Sequence, residues 1–328
     1  MACPAFGSTS EVALFYAVDA DPSLPVPATQ AWTAVRMTGE SMDLNITSTT
    51  SEEITPTRSF SDSLITQGEV SGGFSFEASF AFLDDFLVGA LQSSEGVGGW
   101  ATAETITNES TKACLMFCKR INIGGVYHYY VFRGCQVSSL SLKMEPGALV
   151  TGDCSVMGVG GSVEDAAWAT TGPMVFNDAP TNPLMSGVDS LTINYFTDAN
   201  DVPLNATFQS LTVTFDNQLR QQFQVGGSSI YAAGTASGRF MCNVESTQYY
   251  DSHNIYDELV SDSIVKLQFT LEDSASDSYQ FTLNKLKVQS GAVPLAGGPD
   301  QDLLISPSMQ AFQDGTTGTV SILKTDTP

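Results

Sequence analysis

Val70-Ser71-Gly72-Gly73-Phe74-Ser75-Phe76-Glu77-Ala78-Ser79-Phe80 is the stretch on which the fold turns. Val70, Phe74, Phe76, Ala78 and Phe80 alternate with Ser71, Gly73, Ser75, Glu77 and Ser79, the period of two of a strand buried on one face. Upstream, Met42, Leu44 and Ile46 alternate with Ser41, Asp43, Asn45 and Thr47, which predicts a second strand. Residues 48–67 lie between them, polar and rich in Thr and Ser, with Glu52, Glu53, Arg58 and Asp62 and the single Pro56. That spacing is too long for a tight turn, so the segment reads as an arm. Downstream of Phe80 the period changes to about 3.6: Phe82, Leu83, Phe86, Leu87 and Leu91 share one face, and Asp84 and Asp85 suit a helix N-terminus. Cys114 to Arg120 and Tyr127 to Arg133, joined by Asn122-Ile123-Gly124-Gly125, predict a hairpin, with further strands over Val137 to Leu142 and Val150 to Met157.

The same order then returns. Gly39 to Ile46 resembles Gln209 to Phe215, and Val70-Ser71-Gly72-Gly73-Phe74 resembles Ala236-Ser237-Gly238-Arg239-Phe240. Phe82 to Leu87 matches Asn254 to Leu259, and Lys112 to Phe117 with Tyr127 matches Ile264 to Phe269 with Tyr279. Ordered matches of this kind predict two tandem copies of one mainly β domain, each with one flanking helix, near Phe82 to Leu91 and Asn254 to Val260. The domains expected are residues 1–170, carrying the long arm 48–67, and 171–328, with a shorter arm over 217–234. A chain of 328 residues is long enough for two cores.

Charge and cysteines narrow the function. With 36 acidic against 13 basic residues the net charge is −23, so the chain repels nucleic acid and anionic membrane. No segment has the length and apolarity of a membrane span, and the first ten residues lack a secretory pattern. Five of the six cysteines (Cys3, Cys114, Cys118, Cys135, Cys154, Cys242) fall in the first copy, which excludes a disulfide framework common to both. Cys114 and Cys118 on one strand are about 13 Å apart, too far to ligate one metal ion. Asp84-Asp85 and Glu52-Glu53 are chain neighbours that point apart, and Gly158-Val159-Gly160-Gly161-Ser162 lacks the Lys-Ser/Thr ending of a phosphate loop. No enzyme, metal or cofactor is expected.

The copies differ at the hairpin. Cys114, Met116 and Cys118 fall where the second copy has Lys266, Gln268 and Thr270, and Tyr130 and Phe132 where it has Thr282 and Asn284. The first hairpin is thus apolar on both faces and needs a cover from the helix, the other copy or a neighbouring chain. Parity along the strands sends Asp43, Asn45, Ser75 and Glu77, with counterparts Thr212, Thr214, Asn243 and Glu245, to the face opposite the core.

Thr38-Gly39-Glu40-Ser41-Met42, Thr50 to Arg58, Asp62 and Gly68 to Glu77 resemble the N-terminal half of the major tail tube proteins of long-tailed bacteriophages. Ser210-Leu211-Thr212-Val213, Asp216-Asn217, Gly234 to Gly238 and Pro299-Asp300-Gln301-Asp302 are similar to the C-terminal half. The resemblance implies two packed β-sheets with a flanking helix per domain, a sandwich or barrel, in rings stacked into a tube through which double-stranded DNA passes without specific binding. A two-domain chain would close as a trimer with pseudo-sixfold symmetry. The polar-face residues then become lumen candidates, the arm residues Glu52, Glu53, Arg58 and Asp62 inter-ring contacts, and Cys114, Met116, Cys118, Tyr130 and Phe132 a buried interface. Its partners would be further copies of itself, the tape measure protein, the tail terminator and baseplate or tail-tip proteins, in a virion tail assembled in the bacterial cytoplasm. A two-domain β-sandwich capsid decoration protein or adhesin is the alternative that the repeats alone allow.

Overall fold

The computed structural model describes residues 11–326 apart from positions 24, 28, 55, 57–61, 166–167, 170–173, 181, 185–190, 205, 227–228, 292, 294–301 and 316–317. The chain is mainly β. In the first half come β1 (Val12–Val18), β2 (Ala31–Ala34), β3 (Met37–Glu40), β4 (Asp43–Thr50), β5 (Ser63–Glu77), α1 (Asp84–Leu91), β6 (Thr105–Thr107), β7 (Leu115–Ile123), β8 (Val126–Met144), β9 (Thr151–Gly158) and β10 (Gly160–Glu164). Then come β11 (Val175–Asn177), β12 (Leu191–Asp198), β13 (Thr207–Asp216), β14 (Arg220–Gln222), β15 (Gly234–Ala236), β16 (Met241–Tyr249), α2 (Asn254–Ser261), β17 (Val265–Glu272), β18 (Ser278–Ser290), β19 (Leu304–Ile305), β20 (Ser308–Ala311) and β21 (Ser321–Thr325).

The strands pair in two circuits. In the first, β1 pairs with β7, β7 with β8, β8 with β10 and β9, β9 with β5, and β5 with β3 and β4. In the second, β12 pairs with β17, β17 with β18, β18 with β21 and β20, β20 with β16, and β16 with β13. Even an irregularity recurs: the register slips between Met37 and Gly39 on β3, and between Phe208 and Ser210 on β13. Both β8 and β18 are long because each serves two sheets. The first part of β8 lies between β7 and β10, and its end pairs with β9; likewise β18 passes from β17 and β21 to β20.

The circuits meet at a seam where β8 pairs with β13, Leu140 opposite Phe215 and Ser141 opposite Thr214. One sheet therefore runs without interruption through β4 with β3, β5, β9, β8, β13, β16, β20 and β18. Directly opposed residues share a face, so Phe74, Cys154, Leu140, Phe215, Cys242, Ala311 and Leu286 form one row across it, and all are buried. Side chains from both halves pack into one continuous core against this face. Fully burying each large side chain contributes roughly 1.5–3 kcal/mol, and dispersal of the core over both halves ties their stability together.

The expected strands and helices are present, with three corrections. The arm is not a free loop: Ser48, Thr49 and Thr50 pair with Ile65, Leu64 and Ser63, which prolongs β4 and β5 into a ribbon. Its exposed Thr49, Thr50, Ile65 and Thr66 have the β-branched side chains that favour strand. The strand pairing also aligns Cys242, not Ala236, with Val70, since Val70 lies opposite Gly158 and Cys242 opposite the corresponding Ala311. The Ser-Gly-Arg-Phe sequence that suggested the other match lies between β15 and β16, where similar turn chemistry imitates a strand start. Finally, the long loop after β14 forms a hairpin with β15. The expected domain boundary at 170/171 lies outside the described residues.

Gly72 has a function in this geometry. Its φ is +135°, and a side chain there would run into the Ser41 carbonyl and Met42 where β3 breaks to β4 above it.

Candidate functional site

The face opposite the core is polar, row by row. Ser75, Asp153, Ser141, Thr214, Asn243, Gln310 and Lys287 follow one another across the sheet, and beside them run Glu77, Thr151, Lys143, Thr212, Glu245 and Ser308. Asp43 stands opposite Ser71, and Asn45 opposite Glu69. All eight residues picked from sequence parity thus lie on one face of one sheet, exposed or half-buried. Strand alternation suffices to explain this, because a sheet with one face in a core leaves the other to solvent.

Hydrogen bonds tie neighbouring strands together on this face. Ser75 Oγ donates to Asp153 Oδ1 at 2.5 Å, and Asn45 Nδ2 donates to Ser71 Oγ at 3.2 Å. The balance of charge is acidic: Asp43, Glu69, Glu77, Asp153, Asp216 and Glu245 face two lysines. Lys143 pairs with Glu145 at 2.7 Å and Lys287 with Asp262 at 2.6 Å, so each is already held by a carboxylate, and Glu77 carries Arg36 at 3.0 Å. Sequence reading missed Ser139, Ser141 and Lys143 at the seam. Their alternation with Leu140 and Leu142 marks a strand, but a partner about seventy residues away in β13 leaves no local mark.

The sheet ends in open edges. Among the described residues, β4 pairs only with β5, and Gln289 and Ser290 at the end of β18 are exposed. Open edges invite another strand. Of the arm residues, Glu52, Glu53 and Asp62 are exposed, with Ser51 N–H bonded to the Asp62 carbonyl at 2.9 Å; Arg58 lies outside the described residues.

The first hairpin corrects two expectations. Its turn is Gly124-Gly125, both at positive φ, so Ile123 faces Val126, and from there to Phe117 opposite Phe132 an even-numbered residue opposes an odd-numbered one. Cys118 therefore opposes Val131, whereas Tyr130 and Phe132 oppose Lys119 and Phe117 on the main-core side. The residues that do share the face of Met116 and Cys118 are Tyr129 and Val131. Their cover comes from the same chain: Trp32 on β2, the helical Trp168, and Phe176 on β11 close a second, smaller core, with Arg120 stacked 4.6 Å from the Phe15 ring. The cover thus lies within the chain, and Phe176 belongs to the span expected for the other copy. Burial pushes the Cys118 thiol up to about 12 and also raises Cys135, Cys154 and Cys242. Cys114 is half-buried, accepts a hydrogen bond from Gln136 Nε2, and is raised less far for the same reason. Such thiols are poor nucleophiles at neutral pH.

Beside the buried Arg133–Asp19 pair at 2.7 Å within the first half, a second buried ionic group joins the halves. Asp84, at the start of α1, accepts a hydrogen bond from Tyr279 on β18 at 2.5 Å and one from Lys324 on β21 at 2.7 Å. Burial raises the Asp84 carboxyl, and these two donors pull it partly back. Asp85 points elsewhere, accepting from Gly98 N–H at 2.7 Å, and burial raises it too. These carboxylates are taken up in structural hydrogen bonds. Among the described residues no group of three His, Cys, Asp or Glu is placed to hold a metal, and no helix is long and apolar enough to cross a membrane.

A family model described as phage tail tube protein matches residues 9–305. The chain belongs to that family. No curated protein sequence matches it. As a phage tail tube protein it is a structural component of the virion tail, one that assembles with itself into a tube and with other tail proteins.

Proposed function

We propose that three copies of this tail tube protein close into a ring with pseudo-sixfold symmetry, that rings stack into the tube, and that the acidic sheet face lines a lumen through which genomic DNA leaves. Each chain acts as two tandem tail-tube domains, residues 1–170 and 171–328, a reading supported by the two matching circuits of strand pairs. The observation that carries the ring is the seam. Where β13 joins β8, the second half adds its first sheet strand to the last of the first half; a second copy can repeat that junction at the open edge of β4 with the end of β18. Closure removes both edges and the association hazard they carry.

The face also has the composition that a DNA conduit requires. DNA carries one charge per ~1.7 Å, and a basic wall would hold it through counterion release, whereas Asp43, Glu77, Asp153 and Glu245 repel it. The exposed arm ribbon supplies a contact toward the next ring, its carboxylates setting register more than affinity. The resemblance further implies that the tube meets a tape measure protein, a terminator and a tail tip, and that it assembles in the bacterial cytoplasm. Negative-stain microscopy of purified protein over a range of concentrations is the test. Rings or tubes with threefold features are expected; a monodisperse monomer at every concentration refutes the proposal.

A further inference from the structure

The two helices stand at corresponding places, after β5 and after β16, and each ends on a left-handed residue, Gln92 and Asp262. Aligning these caps sets Ala90 beside Val260. Their surroundings differ sharply. Residues Phe86 to Leu91 of α1 are all buried, because both halves enclose the helix. Phe86 packs on Tyr16, Phe74 and Phe117 of its own half. The other half reaches it from β13: Asn217, the residue after that strand, donates Nδ2 to the Ala90 carbonyl at 3.0 Å. In α2 only Ile255 is buried, while Tyr256 is 44% and Val260 67% exposed. The helix has the inner cover and lacks the outer one.

The pairing identifies the missing element. Asp43 opposite Ser71 corresponds to Thr214 opposite Asn243, so β3 and β4 together are the counterpart of β13, and Ile46 that of Asn217. In this chain Ile46 is 53% exposed. It borders a mainly apolar cavity of about 390 Å³ that Met42, Leu44, Tyr130, Phe132 and Val163 also line, with Lys119 and Asp43 as its charged members. The polar contact made inside the chain, Asn217 on the Ala90 carbonyl, is thus replaced at the corresponding outer site by two branched apolar side chains, Ile46 and Val260, each exposed on its own chain.

We propose that α2 of one copy packs on the β4 edge of the next, with Val260 against Ile46 and Tyr256 turned toward the cavity beneath β4. This rests on the ring reading above and adds its contact surface. The occupant is a second copy of this chain, because the internal junction already places a helix of this kind against a strand of this kind. Joining the two exposed faces removes apolar surface from water on both sides.

Ile46→Cys with Val260→Cys, treated with a short thiol cross-linker after assembly, should give a ladder of covalently joined chains. The parent protein and an Ile46→Cys, Val126→Cys control should give none. Val260→Asp alone should melt at the wild-type temperature, since the site is exposed, yet raise the critical concentration for assembly about tenfold or more. Wild-type tubes with no ladder, together with normal assembly of Val260→Asp, overturn this contact and leave the tube reading standing. Failure of the wild type to form rings or tubes overturns both.

Discussion

Tyr279→Phe tests whether the two halves are locked by the buried ionic group. Tyr279 is fully buried, and its ring lies 4.9 Å from that of Phe80 and 5.6 Å from that of Trp100, contacts that phenylalanine keeps. Only the hydroxyl is lost. It donates to Asp84 Oδ1 at 2.5 Å and accepts from Ala81 N–H at 3.1 Å, both across the junction between halves. A hydrogen bond to a charged group contributes about 1.5–3 kcal/mol and a neutral one about 0.5–1.5 kcal/mol, so the variant should lose about 2–4 kcal/mol. For a chain of this size each kcal/mol moves the melting temperature by about 2 °C, which predicts a fall of about 4–8 °C by calorimetry of the soluble subunit at neutral pH. Asp84 keeps Lys324, so the fold should survive. In an Asp84→Asn background the same substitution should cost at least about 1 kcal/mol less, because the partners are then already uncoupled. A fall below about 1 °C, or an equal fall in both backgrounds, refutes the argument.

The same group sets a pH dependence. Burial raises Asp84 and Asp85 above their unfolded values, so the stability linked to them is present below the unfolded carboxylate range and is lost as pH rises through the folded values. Mild acidification from neutral pH should therefore raise the melting temperature of the wild type more than that of Asp84→Asn with Asp85→Asn; equal shifts in the two proteins contradict this. Asp43→Lys with Glu77→Lys should leave tubes intact and slow DNA exit in a salt-dependent way, and ejection unchanged at low and high ionic strength would count against an electrostatic lumen. Deleting residues 52–61 spares the pairing of Thr50 with Ser63 and should give folded subunits that do not polymerise into tubes; tubes of normal length would show the arm to be dispensable. In a Cys3→Ser background, thiol labelling of the native subunit should modify Cys114 slowly and leave Cys118, Cys135, Cys154 and Cys242 unmodified until unfolding. Rapid reaction at Cys118 would mean that the smaller core opens.

Strand alternation made much of this protein legible without its structure. A period of two fixes which side of a strand is wet whatever the strand pairs with, and for that reason Ser75, Glu77, Thr214 and Glu245 could be assigned to one polar face in advance. The change of period after Phe80 located α1 for the same reason, since periodicity is a local property of the chain. Hairpin faces were harder. The sides taken by Tyr130 and Phe132 depend on the number of residues in the turn, and one residue more or fewer at Gly124-Gly125 exchanges them.

Three features belong to tertiary structure alone. The seam of β8 with β13 brings together strands far apart in sequence, both patterned like any half-buried strand, so nothing local distinguishes them as partners. Cover for the apolar hairpin face comes from Trp32, Trp168 and Phe176, spread over well more than a hundred residues of chain and united only by packing. Asp84 reads in sequence as a residue suited to a helix N-terminus, and it becomes a bridge between halves because folding sets Tyr279 and Lys324 around it. Local pattern records which way a side chain points, while the identity of what it meets is settled when distant segments compete to bury the same surface.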